Sequence, residues 1–114
     1  MKIAIAVNVN KELVPLDAAE YIYVYNEADG SVVQNDNLGF GNKEATMANI
    51  LRLGVDAIAV KAGTLCPGSY AMSQGSIRYS VVNGNTVEDV IGKKELGKDL
   101  REQLDAEMYA EYGE

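Results

Sequence analysis

No histidine and no tryptophan occur in the 114 residues, and cysteine occurs once, as Cys66. Without histidine, a single chain cannot build a Ser-His-Asp or Cys-His nucleophile pair, a histidine general base or a His-rich zinc site. One cysteine forms no internal disulfide, and alone it holds neither a four-cysteine zinc site nor an iron–sulfur cluster. A lone thiol fits a reducing compartment. Met1 leads directly into the alternating segment Lys2–Val9, without the basic, long-apolar and small-residue stretches of an export signal. A cytoplasmic protein is expected. No apolar run approaches the ~20 residues that cross a bilayer, so no membrane span is expected.

Basic charge is also scarce. Ten Lys and Arg stand against 17 Asp and Glu, for a net charge of −7. Residues 1–94 hold 8 basic and 10 acidic side chains, whereas residues 95–114 hold 2 and 7. A phosphate-backbone binder needs clustered cations, and the largest cluster is Lys93-Lys94. Neither nucleic acid nor an anionic membrane surface is an expected partner. The acidic tail reads as a solvated face that aids solubility.

What is present reads as α/β. Ile3, Ile5, Val7 and Val9 alternate with Ala4 and Ala6, a strand covered on both faces. Tyr21, Tyr23 and Tyr25 alternate with Ile22 and Val24, Ala28–Ser31 supplies a turn, and Ser31–Gln34 returns as a hairpin partner. Asn42 is placed to cap a helix over 43–53 that closes on Gly54, and Val55–Val60 follows as a buried strand. A helix feeding directly into such a strand implies a parallel pairing. Pro67 suits a first helical turn ahead of a short helix over 69–74, Ser76–Val82 is a fifth strand, and Thr86–Ile91 is a third helix. Leu100, Leu104, Met108 and Tyr112, four residues apart, predict an amphipathic helix over Lys98–Tyr112. The expectation is a mixed five-stranded sheet with helices on both faces, in the element order of the ribonuclease H-like three-layer fold, plus an extra C-terminal helix.

Several phrases carry a family resemblance: Met1–Ala6, Tyr23–Asn26 with Asp29-Gly30, Leu51–Ile58, Gly75–Tyr79 and Thr86–Val90. In their order and spacing the chain resembles the dinitrogenase iron–molybdenum cofactor biosynthesis family, the nitrogenase accessory factor-like domain. The resemblance covers residues 1–92 and leaves 93–114 as an acidic C-terminal helix packed on the domain or on a partner. It implies a ribonuclease H-like fold and a small non-enzymatic carrier or chaperone of an iron–sulfur or iron–molybdenum cofactor precursor. The implied partner is a metal-cluster donor or acceptor protein. The family's histidine-bearing phrase between the first two strands is replaced here by Leu13–Glu20, and its Gly-Gly phrase by Ala62-Gly63.

The candidate site is the loop Gly63–Ser69, at the carboxyl end of a parallel strand where open α/β sheets bind ligands. Backbone N–H groups near Gly63 and Gly68 suit an anionic cargo, and the hydroxyls of Thr64 and Ser69 are possible donors. Cys66 beside a helix start is either a soft-metal ligand with a stabilised thiolate or a half-buried small hydrophobe. Two Cys66 residues of a homodimer would bracket one cluster and supply the missing ligands. Asn8 and Asn10 end the first strand where a nuclease of this fold would need carboxylates for a divalent metal, so they read as turn residues. The rival to a carrier is a protein-interaction or regulatory module that has lost the cofactor site; a thiol enzyme using Cys66 lacks a general base.

Overall fold

A computed structural model describes residues 1–62 and 64–104. Among these residues six strands and three α-helices follow one another, with a short 3-10 helix at Leu16–Ala18 between the first two strands. They are strand β1 (Lys2–Val7), strands β2 (Tyr21–Asn26) and β3 (Ser31–Asp36), helix α1 (Lys43–Arg52), strand β4 (Ala57–Val60), helix α2 (Pro67–Ser73), strand β5 (Arg78–Val81), helix α3 (Val87–Gly92) and strand β6 (Leu100–Arg101).

The strands form one mixed sheet in the order β3-β2-β1-β4-β5-β6. β1, β4 and β5 run parallel, whereas β2, β3 and β6 join antiparallel. The small residues of β1 explain its central place. Ala4 and Ala6 let α1 and α2 approach one face, where Met47, Ile50, Tyr70 and Tyr79 complete a core. Ile3, Ile5 and Val7 fill the other face under Val87 and Val90 of α3. All three are fully buried, and each such side chain contributes about 2 kcal/mol through burial. The tyrosine stripe of β2 packs on that second face as well.

Local signals set the element ends. The Asn42 side chain accepts from the Ala45 N–H at 2.7 Å and caps α1. Gly54, at φ +73°, takes the left-handed position that releases the chain into β4. Thr86 caps α3 by accepting from the Asp89 N–H at 3.1 Å.

Two expectations about the C-terminal region are corrected. The sheet has six strands, not five, and the predicted helix over Lys98–Tyr112 does not begin where its spacing placed it, because Leu100–Arg101 form β6. β5 would otherwise present an unpaired backbone edge, a cost that tertiary pairing removes. Instead the Val81 N–H donates to Asp99 O at 2.8 Å, and Gly97, at φ +80°, turns the chain and donates to Ser80 Oγ at 2.9 Å. Leu100 packs beside the α3 core, whereas Leu104 belongs to the core under α1 and α2. Met108 and Tyr112, the rest of the predicted ridge, lie outside the described residues. Among the described residues no helix is long and apolar enough to cross a membrane.

Candidate functional site

The loop after β4 reaches α2 through hydrogen bonds that its own side chains consume. Thr64 Oγ1 accepts from the Lys61 N–H at 3.0 Å and donates to Lys61 O at 2.7 Å, so its hydroxyl closes a local turn. Lys61 Nζ turns back to bond Asn85 Oδ1. Gly63, the first residue of the predicted site, lies outside the described residues.

Cys66 is the cap of α2. It is 8% exposed, and its Sγ accepts from the Ser69 N–H at 3.4 Å. The thiol also donates to Ser69 Oγ at 3.3 Å, and that hydroxyl donates onward to Lys43 O at 3.2 Å. Ser69 is fully buried. Cys66 and Ser69 are thus brought together, but as a structural link between the first turns of α1 and α2. The thiol does the work that serine or threonine does at most helix starts.

Gly68 permits close approach, as its sequence position suggested, and the approaching group belongs to the chain itself. A Cβ added at Gly68 would stand 2.6 Å from Glu44 Oε2. The carboxylate of α1 therefore occupies space beside the amino end of α2, where negative charge is favoured. Sequence reasoning missed this contact, because nothing local to Glu44 signals which helix start it meets.

The position of α1 comes from a buried polar knot on its other side. Asn37 Nδ2 donates to Ala19 O at 2.7 Å and to Thr46 Oγ1 at 2.8 Å. Thr46 Oγ1 in turn lies 3.0 Å from Leu16 O and 3.1 Å from Gly39 O, and its single proton is shared between them. Gly39 cannot carry a side chain, since its Cβ would fall 2.3 Å from the carbonyl carbon of Ala45.

Below the site, the Tyr79 hydroxyl lies 2.7 Å from Ser73 Oγ, and the Tyr70 and Tyr79 rings stand 5.3 Å apart, tilted by 54°. Burial pushes the Tyr79 hydroxyl above its ordinary range, opposed by its bond to Ser73. At the carboxyl end of β5, Glu95 Oε1 accepts from the N–H groups of Asn83 (2.6 Å) and Gly84 (3.1 Å). That clamp, too, joins residues distant enough in sequence to leave no local sign.

Asn8 behaves as a turn residue. Its Oδ1 accepts from the N–H groups of Asn10 (2.9 Å) and Glu12 (3.0 Å), and its Nδ2 donates to Glu12 Oε1 at 2.8 Å. Among the described residues no group of three or more His, Cys, Asp and Glu side chains is placed to hold a metal ion, and no buried side-chain polar atom lacks a partner. Two open clefts, of about 520 and 550 Å³, lie elsewhere. The first is lined by residues including Asp56, Gly75 and Arg78, the second by residues including Asn83, Lys93 and Glu95. Neither contains a residue of the loop 61–69.

No protein-family model and no curated protein sequence matches the chain. Solved structures do. One is a provisionally named dinitrogenase from Methanocaldococcus jannaschii, 22% identical, with a TM-score of 0.62 over 87% of this chain and 94% of that one. Another is a provisionally named NifB protein of the DUF35 family from Thermotoga, 17% identical, with a TM-score of 0.64 over 91% of this chain and 96% of that one. At these identities the likeness shows a shared fold.

Proposed function

We propose that the protein is a small, non-enzymatic cytoplasmic carrier of an iron–sulfur type cofactor precursor, similar in role to the accessory proteins of iron–molybdenum cofactor biosynthesis. The observation that carries this reading is the placement of the only thiol, Cys66, at the carboxyl end of the parallel strand β4 and the start of α2. Two further points support it. The chain shares its fold with proteins named for dinitrogenase and NifB. The strand order, with β1 between β2 and β4, also agrees with a ribonuclease H-like fold.

In this role the segment Gly63–Ser69 faces the cargo and Cys66 supplies one thiolate to it. Binding draws Sγ away from Ser69 and displaces the Glu44 carboxylate beside Gly68, and the N–H of Ser69 and the neighbouring amides then face the anionic cargo. One thiolate is an incomplete ligand set. The remaining ligands come from a second Cys66 or from the metal-cluster donor or acceptor protein, so the cargo is held at a junction between chains.

A second reading, a protein-interaction or regulatory module of the same fold without a cofactor site, is favoured by one specific observation. The thiol and the hydroxyls of Thr64 and Ser69 are already bonded within the chain. Anaerobic reconstitution with ferrous iron and sulfide separates the two. The carrier retains iron with a visible charge-transfer band that disappears in Cys66→Ser. A folded protein that retains no iron, alone or with a cluster donor, selects the module.

A further inference from the structure

Among the described residues the six-stranded sheet has two edges, and they are finished differently. β6 is two residues long, a short strand of the kind that blunts an edge. β3 is six residues long, and its register with β2 runs without a bulge from Ser31 to Asp36. Five of its six residues are exposed and the sixth is half-buried. It contains no lysine and no proline, the residues that usually protect such an edge.

The direction of its free backbone groups follows from the pairing. The Asn37 N–H donates to Glu20 O, so the odd-numbered residues of this segment turn their main-chain groups toward β2. Val32 and Gln34 therefore turn theirs outward, whereas Asp36 O accepts from Asn49 Nδ2 of α1 at 3.4 Å. Exposed apolar side chains gather along the same stretch. Val32 and Val33 lie on the strand, and Leu38 and Phe40 follow it at 76% and 60% exposure. In an acidic chain of net charge −7, the segment 31–42 carries a single charged residue, Asp36.

We infer that β3 is the contact surface for a second copy of this chain, pairing antiparallel with its own symmetry mate across a two-fold axis at Val33. In that register Val32 and Gln34 of the second copy exchange both main-chain bonds, and Gln34 and Val32 of the second copy do the same. Val33 meets Val33 of the second copy at a non-hydrogen-bonded pair, where facing side chains come closest. Two valines, each 56% exposed, are covered together. The occupant is a second copy rather than a basic partner because the strip is nearly neutral, while the charges that would attract a cation lie elsewhere on the chain. In this register each Asp36 lies opposite Gly30 of the second copy and beside its Asp29, so salt, which screens the two carboxylate pairs, should tighten the dimer. The two sheets become one, with no edge left at β3. This inference is independent of any cargo at Cys66.

Sedimentation of the full chain up to about 1 mM, where even millimolar affinity is visible, tests it. A dimer is expected, with its dissociation constant raised at least tenfold in Val33→Lys, which sets two cations face to face, and little changed in Val33→Thr. Circular dichroism of both variants should match the parent, since the side chain is exposed. In a Cys66→Ser background, Val33→Cys should form an intermolecular disulfide on mild oxidation, and Val32→Cys, displaced from the axis, should not. A monomer throughout the range overturns the inference and leaves the edge for a different protein's strand or for none. A dimer indifferent to Val33→Lys overturns it in favour of another surface.

Discussion

The main-chain N–H of Leu104 donates to the Tyr70 hydroxyl across 3.0 Å, tying the segment after β6 to the helix that Cys66 caps. Both residues are buried, so the bond is shielded from water. Tyr70→Phe leaves the amide of Leu104 without this acceptor and should cost about 1–2 kcal/mol. Thermal unfolding should show a drop of several degrees, on the scale of about 4 °C per kcal/mol for a chain of this size. An unchanged Tm would mean that the amide finds water.

Tyr79 gives the protein an alkaline limit. Burial raises its folded-state pKa above the ordinary value of 10.0, so the native state holds the phenolic proton more tightly than the unfolded chain does. The resulting stability is complete below pH 10 and is lost as pH climbs toward the raised value. Urea midpoints measured from pH 8 to 11 should fall more steeply for the parent than for Tyr79→Phe. The variant should start slightly lower at pH 8, because it lacks the bond to Ser73.

Gly39→Ala should be among the most damaging small substitutions. Its methyl group would meet the backbone of α1 at Ala45 rather than a movable side chain. A cost of about 3 kcal/mol or more is expected from such overpacking. Gly68→Ala, in contrast, meets the flexible end of Glu44 and should cost about 1 kcal/mol or less once that carboxylate swings aside. Chemical denaturation of the pair checks the ordering.

Cys66→Ser should fold normally, within about 1 kcal/mol of the parent, because serine is a better helix cap than the thiol it replaces. Cys66→Ala removes the cap and should cost about 1 kcal/mol. This ordering by thermal denaturation makes any loss of iron in Cys66→Ser attributable to the ligand and not to unfolding.

Glu95 clamps two backbone amides at the carboxyl end of β5. Glu95→Ala should loosen the 83–85 turn and accelerate hydrogen exchange at Asn83 and Gly84 by about tenfold, the equivalent of ~1.4 kcal/mol. Exchange at Ile5, deep in the sheet, should be unchanged if the opening is local.

The architecture could be read from residues whose signals are local. The alternation of Ile3, Ile5 and Val7 with two alanines marked β1 as covered on both sides, and Asn42, Gly54 and Pro67 marked helix ends that the structure keeps. Leu100 and Leu104 misled because a four-residue spacing suits a helix equally well. Pairing with the open edge of β5, followed by bends at Glu102 and Gln103, sends the two leucines into different cores. The loop at Cys66 is a candidate only through its place after a strand expected to pair in parallel. That Thr64 and Ser69 spend their hydroxyls within the chain, and that Glu44 fills the space by Gly68, depends on contacts made only after α1 and α2 pack.

The pairing of β1 with β4 has a consequence for how the chain is made. Lys2 and Asp56 exchange hydrogen bonds across 54 positions, so β1 leaves the ribosome well before one of its two neighbours. At about 5–20 residues per second the delay is several seconds. During that interval the β2–β3 hairpin, complete by Asp36, shelters only one edge of β1. Ile3, Ile5 and Val7 then await α3, the last helix among the described residues to be synthesised. The nascent protein is therefore at its most vulnerable to chaperone capture or aggregation in β1, the strand that ends up best protected.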